Sequence, residues 1–172
     1  MKVLNIGGFI LENRRIIHIK ELSVHKKHLI DSCCKMAIYF LENDNEKLAL
    51  ELMERAFIHD ISKVSIAEFH AQDAFGSYSK YSESKDKNFT EDEQKFLRIH
   101  WANNRHHPEY WTDVNDMEEI DVVEMVCDWH ARSVEFGNDL IIYIKHRQKT
   151  RFAFPEQMYE KIIYYADILT KK

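Results

Sequence analysis

Four glycines and two prolines are the only strong backbone breakers in 172 residues. A chain this poor in turn residues cannot easily supply the tight turns of a many-stranded sheet, so long helices are favoured. The apolar spacing agrees. From Glu21 onward, Leu22, His25, Leu29, Cys33, Met36 and Phe40 recur every three or four residues and form one helical stripe. A second helix is expected from about Glu46, with Ala49, Leu52 and Ala56 on one face and His59-Asp60 at its end. Ser65-Ile-Ala-Glu68 and Thr90-Glu-Asp-Glu93 read as capping boxes that open a third and a fourth helix. The fourth carries Phe96, Leu97 and Trp101, with His100 among them. Pro108 disfavours helix at His107, so this helix ends near NRHHPEYW, Asn104 to Trp111, and the paired histidines sit on a turn. Asp116-Met-Glu-Glu119 restarts a helix running to about Phe136, apolar nearly all round and therefore expected to be buried. Two more helices are expected over about 138–149 and 155–170, the last with Pro155 in its first turn.

Two stretches depart from this pattern. KVLNIGGFI and RIIHIK are β-rich and flank Glu12-Asn13, which suggests a short hairpin within residues 1–20. Gly76 to Thr90 is polar and reads as a surface loop able to act as a lid. The expected architecture is an all-α helical bundle, a single domain over 21–172 behind an N-terminal extension or hairpin over 1–20.

Composition narrows the function classes. A formal charge of -5 argues against non-specific nucleic-acid binding, which needs clustered positive charge. No apolar run approaches the roughly 20 residues of a membrane span, and the N-terminus lacks the basic-then-apolar pattern of a signal peptide. Cys33, Cys34 and Cys127 are an odd set and read as free thiols of a reducing cytosol. A cytoplasmic protein without membrane partners is expected, its oligomeric state left open.

The chemistry lies in polar residues on faces that should be buried. These are His25, His59, Asp60, His100, Asp128 and the turn residues His106 and His107. Burying a carboxylate alone is costly, and imidazoles and carboxylates from several helices can satisfy one another through a divalent metal. One ion needs three or four ligands, so this surplus points to one or two ions drawn from Mn, Fe, Zn, Ni, Co or Mg. The basic cluster Lys145, His146, Arg147, Lys149 and Arg151 reads first as a solvated face, with a phosphate grip as the lesser alternative. Asp121 reads as a solvated or capping residue.

An earlier helical histidine, the adjacent pair in IHDISK and a late helical aspartate resemble the H…HD…D signature of the HD-domain superfamily of metal-dependent phosphohydrolases. His100 with His106-His107 is similar to the extra ligands of its binuclear members, such as the HD-GYP phosphodiesterases. The GYP motif itself is absent, and cyclic-dinucleotide specificity does not carry over. HDISK, HHPEYW and EMVCDW are closest to a small uncharacterised HD-like family of bacterial and phage proteins, over about His25 to Ser133. The resemblance implies His59, Asp60 and Asp128 as core ligands, with Asp60 as the bridge and His25 completing the first site. It assigns His100 and one or both of His106 and His107 to the second ion. Lys63 would contact a phosphate oxygen, and Glu124 would act as an outer-sphere partner or a base. Tyr110, Trp111 or Trp101 would stack on a nucleobase.

The expectation is a metal-dependent phosphohydrolase acting on a phosphoester or phosphoanhydride, with a nucleotide as its small-molecule partner. Two rivals stand beside it. One is an HD-type diiron oxygenase. The other is a non-catalytic module that binds a nucleotide or a protein.

Overall fold

The computed structural model describes residues 6–74 and 90–171. Among these the chain is helical and contains no strand. Seven α-helices follow one another: α1 Ile6–Glu42, α2 Glu46–Ile58, α3 Ile66–Ala71, α4 Glu91–Asn103, α5 Glu119–Phe136, α6 Leu140–Arg147 and α7 Glu156–Thr170. The all-α expectation holds. The expected hairpin does not form, because Ile6 to Lys20 belong to α1. β-branched residues disfavour helix by only a few tenths of a kcal/mol each, too little to keep the stretch out of α1. His18 lies buried one turn before Leu22 and extends the stripe of His25 and Leu29 backwards. The loop expected over 76–90 falls, save for Thr90, outside the described residues.

The chain divides into two compact units, each built from two segments. Unit 1 comprises Met1–Val24 and Asp60–Asn103. Within it α3 packs on α4 and on a 3₁₀ turn at Ile61–Val64. Ser65 caps α3 by accepting from the Glu68 backbone at 3.2 Å. Thr90 and Glu93 form the expected box at the start of α4. Arg15 pairs with Asp73 at 2.6 Å. The interior of this unit is mostly polar: Phe96 and Leu97 are buried alongside His18, Asp60, Lys63, Glu68, Gln72 and His100.

Unit 2 comprises His25–His59 and Asn104–Lys172 and has an apolar core. Here α5 packs against α2, α6 and α7. As its all-round apolarity requires, α5 is buried along most of its length, with Val123, Val126 and Cys127 fully enclosed. They meet Leu29, Cys33 and Met36 of the α1 stripe, Leu52 of α2, Ile144 of α6 and Ile162 and Leu169 of α7 in one cluster. α5 begins two residues later than the sequence suggested. Its box is formed by Glu118 and Asp121, and Gly137 at φ 68° ends it in the left-handed conformation that glycine adopts without strain. Cys33, Cys34 and Cys127 are free thiols.

Tyr165 of α7 donates to Glu119 at the start of α5 over 2.5 Å. Burial and that carboxylate both raise the phenol pKa, so folding favours the protonated tyrosine. The stability it contributes is complete below about pH 10 and is lost as the pH climbs towards the raised value. Tyr165→Phe should therefore cost about 1.5 kcal/mol in urea unfolding at pH 7, and a smaller difference should remain above pH 10.

Candidate metal centre

The chain reaches the centre of unit 2 by three routes. His25 sits on the buried stripe of α1. Asp128 sits on α5. His59 caps the C-terminus of α2, its backbone N–H bonded to the Arg55 carbonyl at 2.7 Å. Lys26 of α1 fastens that terminus by donating its Nζ to the carbonyls of Ala56, Phe57 and His59, at 3.2, 3.2 and 2.5 Å. A cation suits the negative end of a helix, and here it also fixes where His59 leaves α2.

His25, His59 and Asp128 offer ligand atoms that lie within 4.8 Å of one another. Nε2 of His25 is 2.9 Å, and Nε2 of His59 3.7 Å, from the same Oδ1 of Asp128. Two donors bound to one ion at about 2.1 Å each are at most about 4.2 Å apart, so both pairs can share an ion. The His25 contact is close but lacks hydrogen-bond geometry, and both ring nitrogens of His25 are buried without a hydrogen-bond partner. A buried polar nitrogen left so is unfavourable by about 1–3 kcal/mol, and an ion at this point would relieve it. Two imidazoles and one carboxylate suit zinc, iron, manganese, cobalt or nickel better than magnesium. This buried cluster could hold a metal ion.

The electrostatics fit that role. Burial would raise the Asp128 carboxyl, yet His25 against it, with His59 and His106 nearby, holds it well below the usual carboxylate range. Burial would likewise raise Glu124, and contacts from His106 and His59 hold it far below. An ionised carboxylate only accepts, so Nδ1 of His59 donates to Glu124 Oε1 at 2.8 Å and Nε2 is left facing Asp128. Glu124 is thus the carboxylate that fixes the His59 tautomer and aims its other nitrogen. Glu124→Gln should weaken metal binding about 10–100-fold without displacing any ligand, measured by competition with a chromophoric chelator.

Further from the cluster, His106 stacks on His59 with ring centroids 4.2 Å apart, and its Nδ1 lies 3.4 Å from Glu124. His107 lies against His106, also at 4.2 Å, and is half-buried. Trp111 donates its ring N–H to the Arg105 carbonyl at 2.8 Å, and the Arg105 guanidinium lies 4.7 Å over its ring. Tyr110 is exposed.

Unit 1 carries a parallel arrangement. Asp60 is held at φ 54°, a left-handed conformation that aspartate tolerates and that is common at functional turns. Lys63 is buried and ion-paired with Asp60, not a surface lysine. Nε2 of His100 stands 3.6 Å from Asp60 Oδ1, while its Nδ1 contacts Glu68 Oε1 at 2.7 Å. Burial and the nearby Lys63 charge lower the His100 pKa, so the neutral imidazole is favoured. Trp101, next in α4, is half-buried.

Sequence reasoning missed Glu68, which it assigned wholly to a capping box. Ser65 makes its half of the box, but the glutamate side chain goes to His100. It also missed Glu135, whose Oε2 lies 3.6 Å from Nδ1 of His25. The seven-residue spacing from Asp128 along α5 was the available signal.

A profile of a family of unknown function, DUF5662, matches residues 15–168. The chain belongs to that family. The matched DUF5662 span takes in all the candidate ligands above. No curated protein and no solved structure matches the chain.

Proposed function

We propose that this DUF5662 member is a metal-dependent phosphohydrolase of the HD type, acting on a phosphoester or phosphoanhydride of nucleotide class. The observation that carries the reading is the buried His25–His59–Asp128 cluster, with Glu124 fixing the tautomer of His59. Three protein donors leave coordination positions free for water and substrate, which is the pattern of catalytic and not structural sites. When bound, a divalent ion supplies an acidified water and polarises a phosphoryl oxygen. His25, His59 and Asp128 would hold it. Glu124, kept ionised, would keep Nε2 of His59 on the ion. Lys63 is already engaged by Asp60, so a phosphate contact from it requires that pair to open.

The same two-histidine, one-carboxylate set also suits non-haem iron, which keeps an oxygenase as the second reading. Metal content by mass spectrometry on protein purified without chelator, followed by assay on a panel of phosphoesters with and without oxygen, separates them. Anaerobic phosphate release with one or more ions per chain supports the proposal. Product formation only with iron and oxygen selects the second reading. No metal after reconstitution overturns both.

A further inference from the structure

We propose that Arg147 anchors an anion site at the basic turn ending α6, and that the anion is a phosphate group. Only the choice of phosphate rests on the phosphohydrolase reading. The observation is a comparison among arginines. Arg15, Arg55, Arg105, Arg132 and Arg147 are all half-buried. Arg15 pairs with Asp73 at 2.6 Å, Arg55 with Asp121 at 2.6 Å, Arg105 with Glu118 at 2.9 Å and Arg132 with Glu135 at 2.9 Å. Arg147 has no carboxylate partner among the described residues. Its guanidinium lies 5.1 Å over the Tyr143 ring, and its Nε is enclosed without a hydrogen-bond partner. The ring face and the C-terminal dipole of α6 favour the charge, but neither is a counter-charge. A phosphate, which accepts two parallel bonds from the planar fork, would supply that counter-charge at the Nη edge.

The turn is built to hold this arginine in place. Residues Gln148–Phe152 form a π-turn, a feature frequent at functional sites. Ala153 leaves it at φ 46°, a strained conformation for alanine, while the Gln148 side chain bonds both the N–H and the carbonyl of Phe154, at 2.9 and 2.8 Å. Lys145 and Lys149, two residues before and after Arg147, add exposed positive charge. The turn also packs on α5 within unit 2, Phe152 stacking on Trp129 at 5.6 Å. Tyr143 packs edge-on against Trp129 at 5.7 Å, and Trp129 follows Asp128 in the chain. Burial raises the Tyr143 phenol pKa, and the neighbouring Arg147 and Arg151 charges oppose that shift.

The test titrates inorganic phosphate calorimetrically into the full chain stripped of metal by chelator, at constant ionic strength. The parent should bind phosphate saturably, and Arg147→Gln should weaken binding by about tenfold or more, as expected for a charge-assisted bidentate contact. Arg147→Lys keeps the charge and the packing but loses the fork, and should fall between them. Lys47→Gln, which removes an exposed charge on α2, should bind phosphate like the parent. Absence of binding by the parent, parent-like binding by a folded Arg147→Gln, or an equal loss in Lys47→Gln, would each overturn the site. Arg147-dependent phosphate binding in a protein that hydrolyses no phosphoester would retain it and overturn the phosphohydrolase reading alone.

Discussion

Asp128→Asn should empty the metal centre. The substitution preserves size and removes the charge whose Oδ1 stands 2.9 Å from His25 and 3.7 Å from His59. Loss of a carboxylate that merely orients a ligand weakens a metal about 10–100-fold, so loss of the ligand itself should exceed about 100-fold. The readout is metal per chain after dialysis against a buffered metal pool. Melting gives a second. Parent protein loaded with metal should melt higher than the same protein stripped by chelator, because a ligand held only by the folded state stabilises it. The variant should melt alike in both conditions. Parent-like metal retention would show that Asp128 is no ligand and that the ion binds elsewhere.

The sequence made Asp128 conspicuous because a carboxylate well inside a helix that is apolar nearly all round has few innocent explanations. The same logic exposed His25 and His59: each interrupts a periodic apolar face, and the structure buries both. Helix positions from α2 onward were legible for a related reason, since period and caps act locally. What stayed hidden was partnership. Glu68 and Asp121 both occupy the third position of a capping box, where a carboxylate has a sufficient local reason to exist. Only packing shows that Glu68 leaves its box for His100, whereas Asp121 keeps its box and adds two arginines. The N-terminal stretch misled differently. Ile16, Ile17 and Ile19 suggest a strand, but they are half exposed and the buried residue is His18, a polar side chain that strand propensity ignores.

Asp121 should give the largest loss of stability. It is wholly enclosed, accepts from Arg55 at 2.6 Å and from Arg105 at 3.1 Å, and takes the Glu118 backbone N–H at 3.0 Å to complete the cap of α5. Removing one partner of a buried pair typically costs about 3–5 kcal/mol, because the remaining charge stays in a poor solvent. Glu124 lies 3.4 Å from Arg55 and would take part of that charge, so Asp121→Ala should fall near the lower end, about 3 kcal/mol in urea unfolding. Asp121→Asn keeps an acceptor for the cap and should lose less. Arg105→Ala removes only the more exposed partner and should cost about 1 kcal/mol or less. A further consequence reaches the metal. An Arg55 released from Asp121 turns to Glu124, the carboxylate that aims His59. Asp121→Ala should therefore weaken metal binding as well, although none of its contacts is with His25, His59 or Asp128. Unchanged metal affinity in a destabilised Asp121→Ala would show that Glu124 holds His59 independently of the arginine network.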